Sequence, residues 1–192
     1  MGIQNEESPK YTILLKEGDF EIRQYASYVI AETTVEGDFD NASGDAFRIL
    51  AGYIFGKNKG EAKIAMTSPV EMEQNATKIA MTSPVEMQQD DNRFTMRFSM
   101  PSQYKIGDLP EPLDSRITFE VVEPEVRASN RYSWLSSKKR SFKKSQELRV
   151  WLKSQNVYTV NKDYVYAGYN PPWTLPFFRR NEVHIILTLN AE

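Results

Sequence analysis

The chain has 192 residues, 24 Lys+Arg against 26 Asp+Glu, one histidine and no cysteine. That length suits one sizeable domain that folds without a disulfide or metal staple. The missing cysteines exclude a disulfide framework, thiolate metal centres and a cysteine nucleophile, and the near-neutral charge argues against a nucleic-acid partner.

The start, MGIQNEESPK, is polar and acidic where a signal peptide needs a basic and then an apolar stretch. No segment is long enough for membrane insertion. The expectation is a cytoplasmic protein with residues 1–9 as a disordered tail and 10–192 as a single domain. From Tyr11 the pattern is extended: YTILLKE, a Gly18-Asp19 turn, FEIRQY, then YVIAETTV. Cap-type residues from Asp38 to Asn41 precede DAFRILAGYIF, whose apolar spacing is helical, and Gly56 ends it.

AKIAMTSPVEMEQNA (62–76) is followed directly by TKIAMTSPVEMQQDD (77–91), and Lys63–Met72 is identical to Lys78–Met87. Ile64, Met66, Val70 and Met72 alternate as a strand does, so the two copies predict a hairpin. RFTMRFSMP (93–101) is another strand, LPEPLDS (109–115) a linker, and ITFEVVEPEVRASNRYSWL one or two strands. SFKKSQELRVWLKSQ (141–155) is an amphipathic helix, followed by a strand, an aromatic loop and a last strand. Two α+β halves of similar plan result.

The first helix is too apolar for packing on one sheet alone. Its apolar residues sweep roughly 240° where one sheet needs little more than ~100°. The second helix uses mainly Phe142, Leu148, Trp151 and Leu152. With Ala46, Leu50 and Tyr53 on the sheet, Phe47, Ala51, Ile54 and Phe55 form a second apolar flank, bordered by Arg48. Either a loop covers that flank or a ligand does. The loop NPPWTLPFFRRN (170–181) is a stiff candidate flap carrying Trp173, Phe177 and Phe178 beside Arg179. An apolar helix flank, an aromatic flap and arginines suit a flat apolar ligand bearing carboxylates.

KIAMTSPVEM and AGYNPPWTLPFFRRNEV, in this order with their helices, resemble the signatures of the SOUL/haem-binding-protein family, from about Tyr11 to Leu189. The resemblance implies an α+β fold: a distorted antiparallel or mixed β-barrel of about eight strands, two flanking helices and pseudo-twofold duplicated halves. It also implies reversible, non-covalent binding of haem or another porphyrin beside the first helix, where Phe47, Ala51 and Ile54 map to the groove. A propionate-binding cation is not matched, since Gly44 stands near that place and Arg48 comes one turn later. The family often has an apolar or aromatic residue where this chain has His184, so no shared axial histidine is implied.

In RNEVHIILTL the period of two puts Val183, Ile185, Leu187 and Leu189 on one face, expected inside the barrel. His184 is then expected outside, with Glu182, Ile186 and Thr188. The methionines at alternate strand positions read as core, and the basic run from Lys138 to Lys144 as a solvated face. No spacing makes a nucleophile–base pair, so a binding protein is expected and not an enzyme. An effector-sensing module using the same groove is the alternative. It would be favoured by an appended helix-turn-helix, for which the chain has no room. An enzyme acting on tetrapyrroles would need a redox partner or a metal ligand.

Overall fold

A computed structural model describes residues 7–37, 39–75, 93–155, 163–170 and 174–187. β1 (Tyr11–Glu17), β2 (Phe20–Tyr25) and β3 (Tyr28–Glu36) fall on the three predicted extended segments. Gly18, at φ +58°, makes the turn between the first two. α1 (Phe39–Ile54) begins earlier than its apolar pattern, so Asp40 and Asn41 lie inside the helix. β4 (Val70–Asn75), β5 (Arg93–Ser99), β6 (Ile117–Val122), β7 (Glu125–Tyr132), α2 (Lys138–Ser154), β8 (Val165–Gly168) and β9 (Asn181–Leu187) follow. The Ser137 hydroxyl accepts from Arg140 N and caps α2.

The strands form one nine-stranded curled sheet in the order β1-β2-β7-β9-β8-β4-β5-β3-β6. Every pairing is antiparallel. The order is symmetric about the β8–β4 seam: β2-β7-β9-β8 on one side answers β6-β3-β5-β4 on the other. α1 packs on β3 and β5, and α2 on β7 and β9. Phe94, Met96 and Phe98 are buried with Ala46, Leu50 and Tyr53 under α1, and Val183, Ile185 and Leu187 with Leu148, Trp151 and Leu152 under α2. Tracing the register across the seam, through Val70↔Phe98, Val70↔Gly168 and Gly168↔Asn181, places both helices on the same face of the sheet.

That geometry corrects four expectations. Within the repeat, Lys63–Pro69 is not a strand; the strand begins at Val70, and β4 pairs with β5 and β8. The second copy, and with it the predicted hairpin, lies outside the described residues. The apolar face of β9 meets α2 and not the barrel interior, so His184 and Glu182 point inward; Thr188 and Leu189 lie outside the described residues. Phe142 is exposed, while Ser141 and Ser145 take buried positions on α2. Finally, Glu7, Ser8 and Pro9, assigned on sequence to the tail, run against the body: Ser68 N donates to Glu7 O at 2.9 Å and Ser102 N to Glu7 Oε1 at 3.0 Å.

Candidate functional site

The breadth of apolar surface on α1 is partly explained by loops. Ile64 N donates to Ile54 O at 2.8 Å, and Ile54, 1% exposed, lies in the core with Ile64. Tyr53 donates its hydroxyl to Pro110 O at 2.9 Å, under Leu109. Ile54 is therefore core and not a contact surface.

What remains is a stripe at helical spacing: Gly44, Phe47, Arg48, Ala51 and Phe55. Phe47 is half-buried, its ring edge on Phe98 at 5.6 Å between centroids. Ala51 is small and nearly level with the core, and Phe55 is 63% exposed. A Cβ built on Gly44 meets nothing within 4 Å. Ala51 between the two phenylalanines, with Gly44 one turn before Phe47, makes an apolar shelf. Arg48 stands beside it, paired with Asp45.

The flap is carried by the other half. Trp134 N donates to Pro176 O at 2.9 Å and the Asn181 side chain donates to Trp134 O at 2.7 Å, so the turn before α2 anchors it. The rings of Phe177 and Phe178 meet at a tilt of 52°, 4.6 Å between centroids, and Phe178 is 71% exposed. Arg179 Nε donates to Thr174 O at 2.8 Å. Trp173 lies outside the described residues. On the opposite flank of α1 runs a broad groove of about 1,130 Å³, lined by Ile49, Tyr53, Lys57, Leu113 and Arg116. Of the predicted site residues that the structure describes, only Arg48 is in its lining.

The inner face of the sheet holds what the sequence reading missed. Arg23 donates to Glu182 through Nη1 at 2.6 Å and Nη2 at 3.1 Å, and to Glu21 through Nε at 2.7 Å. Arg180 and the Tyr169 hydroxyl also donate to Glu182, at 2.7 and 2.9 Å, and His184 Nε2 lies 2.8 Å from it. Arg127 donates to Glu71 and Glu125, each at 2.5 Å, and to Tyr28 Oη at 2.7 Å. Arg23 and Arg127 are direct cross-strand neighbours, an arrangement that repels unless each is neutralised. Each has two carboxylates. Burial pushes the Glu182 carboxyl up, but hydrogen bonds and charge from His184 and Arg23 outweigh it and hold the group well below the usual range. Glu71 is likewise lowered: desolvation opposes, and Arg127 and His184 overcome it. Burial raises the Tyr25 hydroxyl to about 12.

The signal for this network is present in the sequence as Glu21-Ile-Arg23 and Glu125-Val-Arg127, opposite charges on one face of two strands. It ties β2, β7 and β9 to β4 across the join between the halves. His184 is 1% exposed, on the face away from α1.

The model of the SOUL heme-binding protein family matches residues 6–186. Heme-binding protein 2 of Homo sapiens is 31% identical over 88% of this chain and 78% of its own length. Heme-binding protein 1 of Xenopus tropicalis is 30% identical over 96% and 93%. Among solved structures, the EcmrR C-terminal domain is 10% identical with a TM-score of 0.61, covering 93% of this chain and 98% of its own. A hydrolase from Listeria innocua is 10% identical with a TM-score of 0.59 over 88% and 92%. At that identity the likeness is one of fold alone.

Proposed function

Because the chain belongs to the SOUL heme-binding protein family, we propose that it binds haem or a related tetrapyrrole, reversibly and non-covalently, on the outer shelf of α1. It does so as a cytoplasmic carrier or buffer and not as an enzyme. Relatives bearing the name heme-binding protein at 30–31% identity support the ligand class. The observation that carries the seat is the stripe Gly44–Phe47–Ala51–Phe55, an apolar shelf with an aromatic residue 63% exposed. A large apolar ring left in water is favourable to cover.

These residues fit the ring of a porphyrin. Phe47 and Phe55 flank it, Ala51 and Gly44 let it approach the helix, and Phe177 and Phe178 offer further apolar cover. Haem brings a flat apolar macrocycle and two propionates, and Arg48 and Arg179 supply cations for the latter. His184, the chain's one imidazole, sits beyond the sheet against Glu182, so the iron takes no ligand from it. Binding rests on apolar contact and charge, which suits an exchangeable cargo.

The test is a hemin titration followed at the Soret band for the wild type, Gly44→Trp and Ser115→Trp. The first variant builds onto the shelf in open space and removes a helix-weakening glycine. The second fills the groove on the opposite flank, where Ser115 is part of the lining. Gly44→Trp is expected to weaken hemin at least tenfold, about 1.4 kcal/mol, with unchanged far-UV circular dichroism and with Ser115→Trp within twofold of wild type. The reverse pattern moves the ligand to the groove. An absent Soret shift in the wild type rejects haem.

A further inference from the structure

A cavity of about 540 Å³ lies where β3 begins and β5 and β6 end, under residues 7–10. Its volume is inside the range of roughly 300–1,000 Å³ usual for small-molecule sites. Val29, Met100 and the ring of Tyr28 form an apolar lining, and Ile106 and Val121 continue it to a rim where both are more than a third exposed. The N-terminal segment roofs it, tied at one end by the Glu7 bonds to Ser68 and Ser102 and at the other by Ala26 N donating to Lys10 O at 3.0 Å.

Three charged side chains line this cavity: Glu7, Lys10 and Lys105. Glu7 is committed to Ser102 N. Among the described residues neither lysine is in an ion pair. An apolar chamber with two uncommitted cations at its edge has the charge pattern for an apolar molecule ending in an anion.

We propose that this cavity is a second binding site, separate from the α1 shelf, for an aliphatic carboxylic acid, held by its chain against Val29 and Met100 and by its carboxylate between Lys10 and Lys105. The proposal does not depend on haem binding at the shelf.

The experiment titrates the full chain, with ¹³C-labelled methyl groups, with dodecanoate and separately with dodecan-1-ol. Dodecanoate is expected to shift the methyl signals of Val29, Met100 and Val121 and to leave that of Ala51 unmoved. Lys10→Gln/Lys105→Gln is expected to weaken dodecanoate at least tenfold and to leave dodecan-1-ol within twofold. Ser27→Trp, an exposed position in the cavity lining, is expected to abolish both. Hemin at saturation should not displace dodecanoate. The site is overturned if the double variant retains wild-type affinity for dodecanoate, or if the shifts fall only outside the cavity. Competition by hemin overturns its separateness. Should Ser27→Trp fail to fold, the lysine variants alone decide.

Discussion

The two halves of the sheet follow one plan, β2-β7-β9-β8 beneath α2 and β6-β3-β5-β4 beneath α1, and differ in what each does with its surfaces. Under α2 the apolar face is closed: Leu148, Trp151 and Leu152 meet Val183, Ile185 and Leu187, and Trp151 Nε1 donates to Glu17 at 2.8 Å. The inner face of that half is filled by Arg23, Arg127, Glu182 and His184, all buried. Its counterpart is looser. The inner-face pair Glu32–Arg97, at 2.8 Å, leaves both side chains about a quarter exposed, and α1 keeps Phe55 and the shelf in water. In a pseudo-symmetric pair, one copy can hold the fold together while the other is free to carry a ligand surface.

The largest effect that sharpens this contrast is on stability. Glu182→Ala leaves Arg23 and Arg180 without their shared carboxylate inside the protein and is expected to cost about 3–5 kcal/mol by denaturant unfolding. Glu32→Ala, in the looser half, is expected to cost less than about 1 kcal/mol. Equal costs would break the comparison. The same network fixes the pH dependence. Glu182 and Glu71 have folded values below their unfolded ones. Their stabilisation is therefore complete above the unfolded carboxylate value of about 4.3 and is lost as pH falls below it. Thermal midpoints should drop steeply below that pH in the wild type and more gently in Glu182→Gln.

The repeat gives a smaller effect, of opposite sign. Asn75 pairs with Arg93 across β4 and β5. Deleting 77–91 joins them through Ala76 and Asn92, a two-residue loop of the kind that closes antiparallel hairpins, and shortening a loop reduces its closure entropy. The thermal midpoint of the deletion is expected to be unchanged or raised. Deleting 62–76 instead brings Val85, Glu86 and Met87 into the places of Val70, Glu71 and Met72, so Glu86 can serve Arg127. An insoluble product from both deletions would contradict this reading. Smallest of all is the effect of His184→Ala on hemin affinity. It is expected to stay within twofold of wild type in a Soret titration, because the imidazole is confined to the inner face with Glu182.

Much of this architecture was legible in the residues. Alternation located β1, β2, β3 and β5, and the excess apolar arc on α1 pointed to a helix with more than a sheet to cover. Ile54 shows the limit: periodicity gives the flank a residue lies on, but not that Ile64, ten residues further along the chain, turns back to bury it. His184 shows another. A period of two separates Val183 and Ile185 from Glu182 and His184 but does not say which set meets the helix, and a buried face of paired charges looks on paper like a solvated one. The strand within the repeat began late because Pro69 cannot donate to a ladder, leaving Lys63–Pro69 as a loop that reaches α1.

The most direct measurement of the central claim, that haem sits on the α1 shelf beside the flap and not against the packed face under α2, is paramagnetic broadening of methyl signals by hemin. With ¹³C-methyl labels, substoichiometric hemin is expected to broaden Ala51 and Leu175 first and to leave Leu148, Val183 and Ile185 sharp. Broadening that begins at Leu148, Val183 or Ile185, or that spares Ala51, would contradict the account.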